Sequence, residues 1–271
     1  MAYETPDITT LLTLEPHGPD TFVGTGPEYP WGKRVYGGQV VAQALRAAAL
    51  TVDGPFVTHS LHAYFIRAGD VDEPIRYEVD RLRNGRSFCT RQVVARQSGG
   101  AILNLSCSFQ VEEDQADVQV GGLPEGVSLP SPDNVDDSWG MLLERQWAER
   151  PGPGVARTWL RLVGPLAEDP VLHQCALAYA SDDAPMEASL THHPEWNGED
   201  SDWERLMTAS LDHAIWFHRP VRGDEWHLYD MVSEGIRGGR GMSHGRVLTT
   251  EGVHVASVAQ EVLVRDLRRG R

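Results

Sequence analysis

Cysteine is scarce in this chain of 271 residues: Cys89, Cys107 and Cys175 are an odd number with no close spacing. They offer no disulfide framework to read, and free thiols fit a reducing compartment. No run of 18 apolar residues occurs, so the sequence predicts no transmembrane helix and no membrane insertion. The opening MAYETPD lacks the basic-then-apolar layout of a signal peptide, and the closing Arg269-Gly270-Arg271 is no peroxisomal address. The expectation is a soluble cytoplasmic protein. Positive charge is also short, with Lys+Arg 24 against Asp+Glu 39 and a net charge of −15. That argues against nucleic acid or an anionic membrane as partner, while leaving room for a small anion held by a few local arginines. Metal-ligand spacing is missing too. The 11 histidines form no His–Glu–x–x–His motif, no Cys–x–x–Cys occurs, and His192-His193 falls in a polar loop. Neither a metal nor a cofactor is expected.

One motif lacks its context. Gly241–Gly245 reads GMSHG and matches the Gly–x–Ser–x–Gly nucleophile elbow centred on Ser243. That fold requires an acid and then a histidine after the serine. Only 28 residues follow Ser243, with His254 the sole histidine beyond the motif itself and Glu251 just before it. An α/β-hydrolase is a poor reading.

What the chain does contain is a degenerate copy of itself. A shift of 152 positions lays Thr58–Asp70 over the segment that begins at Ser210. Tyr64-Phe65-Ile66-Arg67 then falls on Trp216-Phe217-His218-Arg219, Asp72-Glu73 on Asp224-Glu225, Tyr77 on Tyr229 and Gly100 on Gly252. The clustering of the matches, with the same apolar pattern between them, reads as tandem duplication.

Each copy has the same order of elements. In the first, Val35–Leu50 reads VYGGQVVAQALRAAAL, where Gly37-Gly38 breaks the chain and the following run is apolar on nearly every face. A helix of that kind must be buried. Alternating, β-branched and aromatic segments then fill Thr58–Val111, punctuated at Asn84-Gly85 and Gly99-Gly100. Residues 112–154 are acidic and Pro/Gly-rich, with one helix-like piece near Trp139–Trp147, and read as a linker. The second copy restarts with a strand at Arg157–Val163, a small-residue helix at His173–Asp182, a polar insertion at Thr191–Asp202, and strands from Met207 to Arg265. The class is α+β, a sheet wrapped around a central helix, twice. The boundaries expected are 1–115 for the amino-terminal repeat, 116–155 for the linker and 156–271 for the carboxy-terminal repeat.

The segments RVYGGQVVAQAL, HSLHAYFIRAGD, HQCALAYASD, LDHAIWFHRP and VASVAQEVLVR, in that order, resemble the type II acyl-CoA thioesterases, the TesB-like family. The resemblance covers nearly the whole chain. It implies a double-hotdog fold and hydrolysis of fatty acyl-CoA to free fatty acid and CoA, with acyl-CoA as the partner and no cofactor. The family's water-activating constellation of aspartate, hydroxyl residue and glutamine falls on Asp182, Ser210 and Gln260. The bacterial pattern has threonine at the hydroxyl position. Serine keeps the hydroxyl and loses a methyl group, which loosens its positioning.

The chemistry is consistent with those groups. A thioester has a good leaving group, so hydrolysis needs a positioned, partly deprotonated water and a site for the developing oxyanion. Asp182 can take the water's proton if burial raises its pKa, and Ser210 and Gln260 can orient that water. Backbone N–H groups at a helix start are the natural oxyanion donors, without the sequence saying which. Blander roles compete at each position. An aspartate after a helix caps or turns, a strand serine packs, and a buried glutamine needs partners for its amide.

Under the repeat, Gln260 lies over Ser108 and Ser210 over Thr58, so the first copy lacks the glutamine and one of two equivalent sites keeps the chemistry. His59 and His62 sit beside the first copy's equivalent position and could line the crevice, against the blander reading of strand histidines with satisfied nitrogens. Arg67 and Arg219 could bind CoA phosphates or brace the sheet, and bracing is favoured because both copies keep them. His59 and Arg67 are the candidate substrate-binding residues. Asp212 and His213 are adjacent in a strand and point to opposite faces, so they form no dyad and a structural role is favoured. The glycine-rich run Gly235–Gly241 matches no phosphate-loop fingerprint and reads as a hairpin. Two other functions stand beside hydrolysis: a non-hydrolytic acyl-CoA-binding hotdog protein, and a hotdog enoyl-CoA hydratase. The latter needs an Asp–x4–His motif at the central helix, and neither helix carries one. Hotdog strand edges pair, and the tandem repeat internalises one such pairing, so a further homodimer or homotetramer is expected.

Overall fold

A computed structural model describes residues 7–29, 31–134, 142–149, 152–199 and 201–269. The MAYETP start, residues 139–141 of the expected helix-like piece, and the closing Gly270-Arg271 lie outside the described residues. The first half contains α1 (Ile8–Leu11), β1 (Glu15–Pro16), β2 (Thr21–Gly24), α2 (Gly37–Ala49), β3 (Phe56–Phe65), β4 (Ile75–Asn84), β5 (Phe88–Gln97) and β6 (Gly100–Val111). The second contains β7 (Leu143–Trp147), β8 (Val155–Leu162), α3 (Pro170–Ala180), α4 (Pro185–Leu190), α5 (Asp202–Arg205), β9 (Leu206–Ser210), β10 (Asp212–Phe217), β11 (His227–Arg237), β12 (Arg240–Thr249) and β13 (His254–Asp266).

The two halves share one antiparallel sheet in the order β1-β2-β4-β5-β6-β3-β10-β13-β12-β11-β8-β7, with β9 also on β13. Counted outward from the β3–β10 seam, the order is the same on both sides. The seam itself is antiparallel, with Tyr64 opposite Asp212 and Ser60 opposite Trp216. The duplication in the sequence is therefore a pseudo-twofold axis in the fold. Leu143–Trp147, expected as a helical piece of the linker, is instead an edge strand on β8. It holds the place that β1 holds in the first half, and tertiary pairing overrides its local pattern.

Each half wraps its part of the sheet around a helix. In α2, Val41, Ala42, Ala44, Leu45, Ala47 and Ala48 are wholly buried, as an all-round apolar helix requires. The second helix starts further upstream than the sequence suggested. Asp169 caps it by accepting from the Val171 N–H at 2.9 Å, and Pro170 fills the first position. The two helices lie against each other head to tail. Arg46 near the end of α2 meets Asp169 at 3.4 Å, and at the other end the Tyr36 hydroxyl donates to the Tyr179 carbonyl at 3.0 Å. This is the double-hotdog arrangement that the resemblance implies.

One irregularity shapes the site. Between Thr58 and Ser60 the β3–β6 register slips by one residue, and the matching slip in the second half falls at Leu211, between β9 and β10. An extra residue in a strand reverses the alternation beyond it. Positions three apart, Thr58 and Leu61 in one copy, Ser210 and His213 in the other, then share the inner face.

Candidate active site

The inner face of β9, β10 and β13 meets the end of α3 at a continuous chain of polar side chains. Asp182 follows Ser181, the C-cap of α3, and is almost wholly buried. Ser210, at the end of β9, donates from Oγ to Asp182 Oδ1 at 2.9 Å. Gln260, fully buried in β13, donates from Nε2 to Ser210 Oγ at 2.9 Å. The three residues expected to act together are joined by hydrogen bonds.

The start of α2 closes the cluster from the other half. Its N-cap, Tyr36, makes no side-chain capping bond, and the Gly38 N–H donates to Asp182. The two glycines are required by close approach. A Cβ on Gly37 would lie 2.5 Å from Asp182 Oδ2 and 2.9 Å from Phe65 Cε1, and one on Gly38 would collide with the Tyr179 carbonyl. Read in the sequence as a chain break, Gly37-Gly38 is the first turn of the helix and brings its N–H groups to the carboxylate.

Burial pushes the Asp182 carboxyl up to about 7. Its bonds from Ser210, Gly38 and Gln260 oppose that rise, and neighbouring Asp183 adds to it. Asp183 and Glu187 pair with the buried Arg145. A carboxylate poised near neutral pH is suited to accept a proton from water.

Beyond Gln260 the chain of bonds continues through residues whose role the sequence did not expose. Gln260 Oε1 meets His213 Nδ1 at 2.5 Å, and His213 Nε2 meets Ser181 Oγ at 2.8 Å. The alternation argument holds as far as it goes. Asp212 turns the other way and accepts from the Glu261 N–H at 2.6 Å. It is the slip at Leu211 that puts His213 on the same face as Ser210, and strict alternation counted from Ser210 would have put it on the opposite one.

The pseudo-symmetric place in the first half is chemically empty. Register places Cys107 opposite Leu61, as Gln260 stands by His213, so the counterpart of Gln260 is Cys107 and not the Ser108 that the ungapped shift supplied. The β12–β13 turn is one residue longer than the β5–β6 turn, which accounts for the difference. There Leu61 and Cys107 are buried, and the neighbouring helix start is capped by its own Asp169.

His59 and Arg67 are not brought to this cluster. The half-buried His59 ring lies edge-on to Phe88 with centroids 5.7 Å apart. Arg67 donates to the Gly99 carbonyl in the β5–β6 hairpin, and its counterpart Arg219 donates to the His254 carbonyl at 2.6 Å. Each arginine thus holds a backbone carbonyl of a hairpin, and Arg219 pairs with Asp117 as well. Ser243, the elbow decoy, is a buried β12 residue hydrogen-bonded to Ser189 at 2.8 Å. Gly235–Gly241 forms the β11–β12 hairpin, with Arg237 opposite Arg240. Among the described residues no group of three or more His, Cys, Asp or Glu side chains could hold a metal ion. Nor, among the described residues, is any helix long and apolar enough to cross a membrane.

Fold and cluster together define a double-hotdog protein whose one elaborated site couples a buried carboxylate to a hydroxyl and an amide. A family model described as the acyl-CoA thioesterase N-terminal domain matches residues 26–110, and one described as the C-terminal domain matches residues 115–264. The chain belongs to this acyl-CoA thioesterase family. It is 34% identical to human acyl-coenzyme A thioesterase 8, covering 95% of this chain and 88% of that one. It is 34% identical to acyl-CoA thioesterase 2 of Haemophilus influenzae, covering 94% of this chain and 96% of the relative. The crystal structure of an acyl-CoA thioesterase II, TesB2, from Mycobacterium marinum superposes with a TM-score of 0.82 at 38% identity, over 96% of this chain and 97% of that one.

Proposed function

We propose that the protein hydrolyses fatty acyl-CoA to free fatty acid and CoA, with Asp182, Ser210 and Gln260 holding the attacking water. The observation that carries this reading is the unbroken pair of 2.9 Å bonds from Gln260 through Ser210 to Asp182 at the start of α2. Family membership supports the substrate class. In the reaction Asp182 takes a proton from water as its oxygen adds to the thioester carbonyl. The tetrahedral oxyanion then collapses, the C–S bond breaks, and the proton passes to the CoA sulfur. General-base assistance of this kind is worth roughly 10²–10⁴-fold, so the oxyanion needs its own donors. The first turn of α2 is the nearest set of N–H groups, since Tyr36 leaves it without a side-chain cap.

Thiol release from a panel of acyl-CoAs, short to long, by wild type and Asp182→Ala tests the proposal. Turnover that collapses in the variant is expected. Acyl-CoA binding without release by the wild type would leave a binding protein. That reading is not favoured, because the carboxylate, hydroxyl and amide are assembled rather than scattered.

We also place the protein in the cytoplasm as a homodimer or homotetramer. Three free, buried thiols support a reducing compartment. Exposed Tyr64 and Trp216 near the sheet seam support a further interface.

A further inference from the structure

His213 is buried completely, and nothing in the hydrolysis described above uses it. Its two nitrogens are nonetheless both engaged, Nδ1 with Gln260 Oε1 and Nε2 with Ser181 Oγ. We propose that His213 is a positioning residue: as the Nδ1–H tautomer it fixes the Gln260 amide so that the Ser210 hydroxyl proton is delivered to Asp182. This rests on the hydrolytic reading of the same cluster and extends it to a residue outside the aspartate–hydroxyl–glutamine set.

The argument is one of hydrogen-bond polarity. An amide oxygen can only accept, so Gln260 Oε1 beside Nδ1 requires the proton on Nδ1. With that end settled, Gln260 Nε2 faces Ser210 and donates to its oxygen. The Ser210 hydroxyl is then free to donate in turn, and it does so to Asp182. Were the proton on Nε2 instead, the amide would reverse to donate to Nδ1. Its oxygen would draw the Ser210 hydroxyl away from Asp182, and the carboxylate would lose a donor. Ser181 Oγ stands 2.8 Å from Nε2 and 3.1 Å from the Ala178 carbonyl, and the Nδ1–H tautomer puts its single proton on the shorter contact, to Nε2. Burial pushes His213 down to about 4, so the ring stays neutral and the polarity holds through the working pH range.

The other half of the molecule shows that the fold itself does not need a histidine there. Leu61 occupies the equivalent place, fully buried, opposite Cys107. The imidazole occurs in the half where the glutamine occurs.

Two readouts test this. Long-range ¹⁵N correlation spectra of the wild-type histidines report the tautomer directly, whether or not the protein turns over. A neutral Nδ1–H signal that is lost in His213→Leu is expected, and an Nε2–H tautomer for His213 would overturn the proposal. In the second, acyl-CoA hydrolysis is compared among wild type, His213→Leu and His213→Asn. The asparagine amide nitrogen falls near Nδ1 and can still donate to Gln260. His213→Leu should lose about 10- to 100-fold in kcat at nearly unchanged KM, as expected for a displaced catalytic group, and His213→Asn should recover most of it. Wild-type kcat in a folded His213→Leu, or equal losses in the two folded variants, would refute the positioning role. No thiol release by wild type would sink the hydrolytic reading alone, and the tautomer would still decide the polarity.

Discussion

Replacing Asp182 by asparagine should change how stability depends on pH, because the site holds its carboxylate against the cost of burial. The Asp182 pKa is about 7 in the folded protein against an ordinary 3.8. The native state therefore binds this proton more tightly than the unfolded chain does. Its contribution is fully present below the unfolded pKa and is lost as pH rises through 7. Between pH 4.5 and pH 8 that loss spans about two and a half pKa units, or about 3 kcal/mol at 1.36 kcal/mol per unit. Asp182→Asn has no proton to lose. Urea unfolding of both proteins at both pH values, followed by tryptophan fluorescence, measures the double difference, in which the other titrating groups cancel. The variant should gain about 3 kcal/mol relative to wild type on going from pH 4.5 to pH 8. A relative change below about 1 kcal/mol would show that the carboxylate is not destabilised by its surroundings, and the argument for it as a base tuned by burial would fail.

Other substitutions separate the parts of the site. Gly37→Ala should fold but push Asp182 Oδ2 and Phe65 aside, lowering kcat by about tenfold or more, whereas Gly38→Ala collides with backbone at Tyr179 and should lower Tm. Both are read by steady-state thiol release beside a melting curve. Ser210→Ala removes the relay between Gln260 and Asp182 and should cost about 10- to 100-fold in kcat, while Ser210→Thr, which keeps the hydroxyl, should remain within a few-fold of wild type. Arg67→Ala should lower stability by about 1 kcal/mol through the lost bond to Gly99, with KM for acyl-CoA unchanged. A raised KM would instead give Arg67 a hand in binding CoA.

The sequence made the large features legible because they rest on strong patterns. The duplication set the pseudo-twofold order of strands, and the all-round apolar run from Val40 fixed a helix with no solvent face. The segments around Asp182, Ser210 and Gln260 singled out these three residues, which the fold joins by hydrogen bonds. What was hidden depended on register. A one-residue slip at Leu211 moved His213 onto the inner face, and a β12–β13 turn one residue longer than the β5–β6 turn made Cys107, not Ser108, the counterpart of Gln260. A bulge leaves no local signature when the residue it adds is an ordinary strand former. Leu143–Trp147 was read as helical because an edge strand is specified by its neighbour β8 more than by its own pattern. Gly37-Gly38 could be seen as a break, but their purpose required knowing that α3 ends beside them.

The pH dependence of kcat/KM for acyl-CoA hydrolysis tests the central claim most directly, because it reports the free enzyme's essential base. With Asp182 raised to about 7, activity should fall on the acid side with a midpoint near that value. A rate that stays flat down to pH 5 would mean that the group taking the water's proton is not this carboxylate.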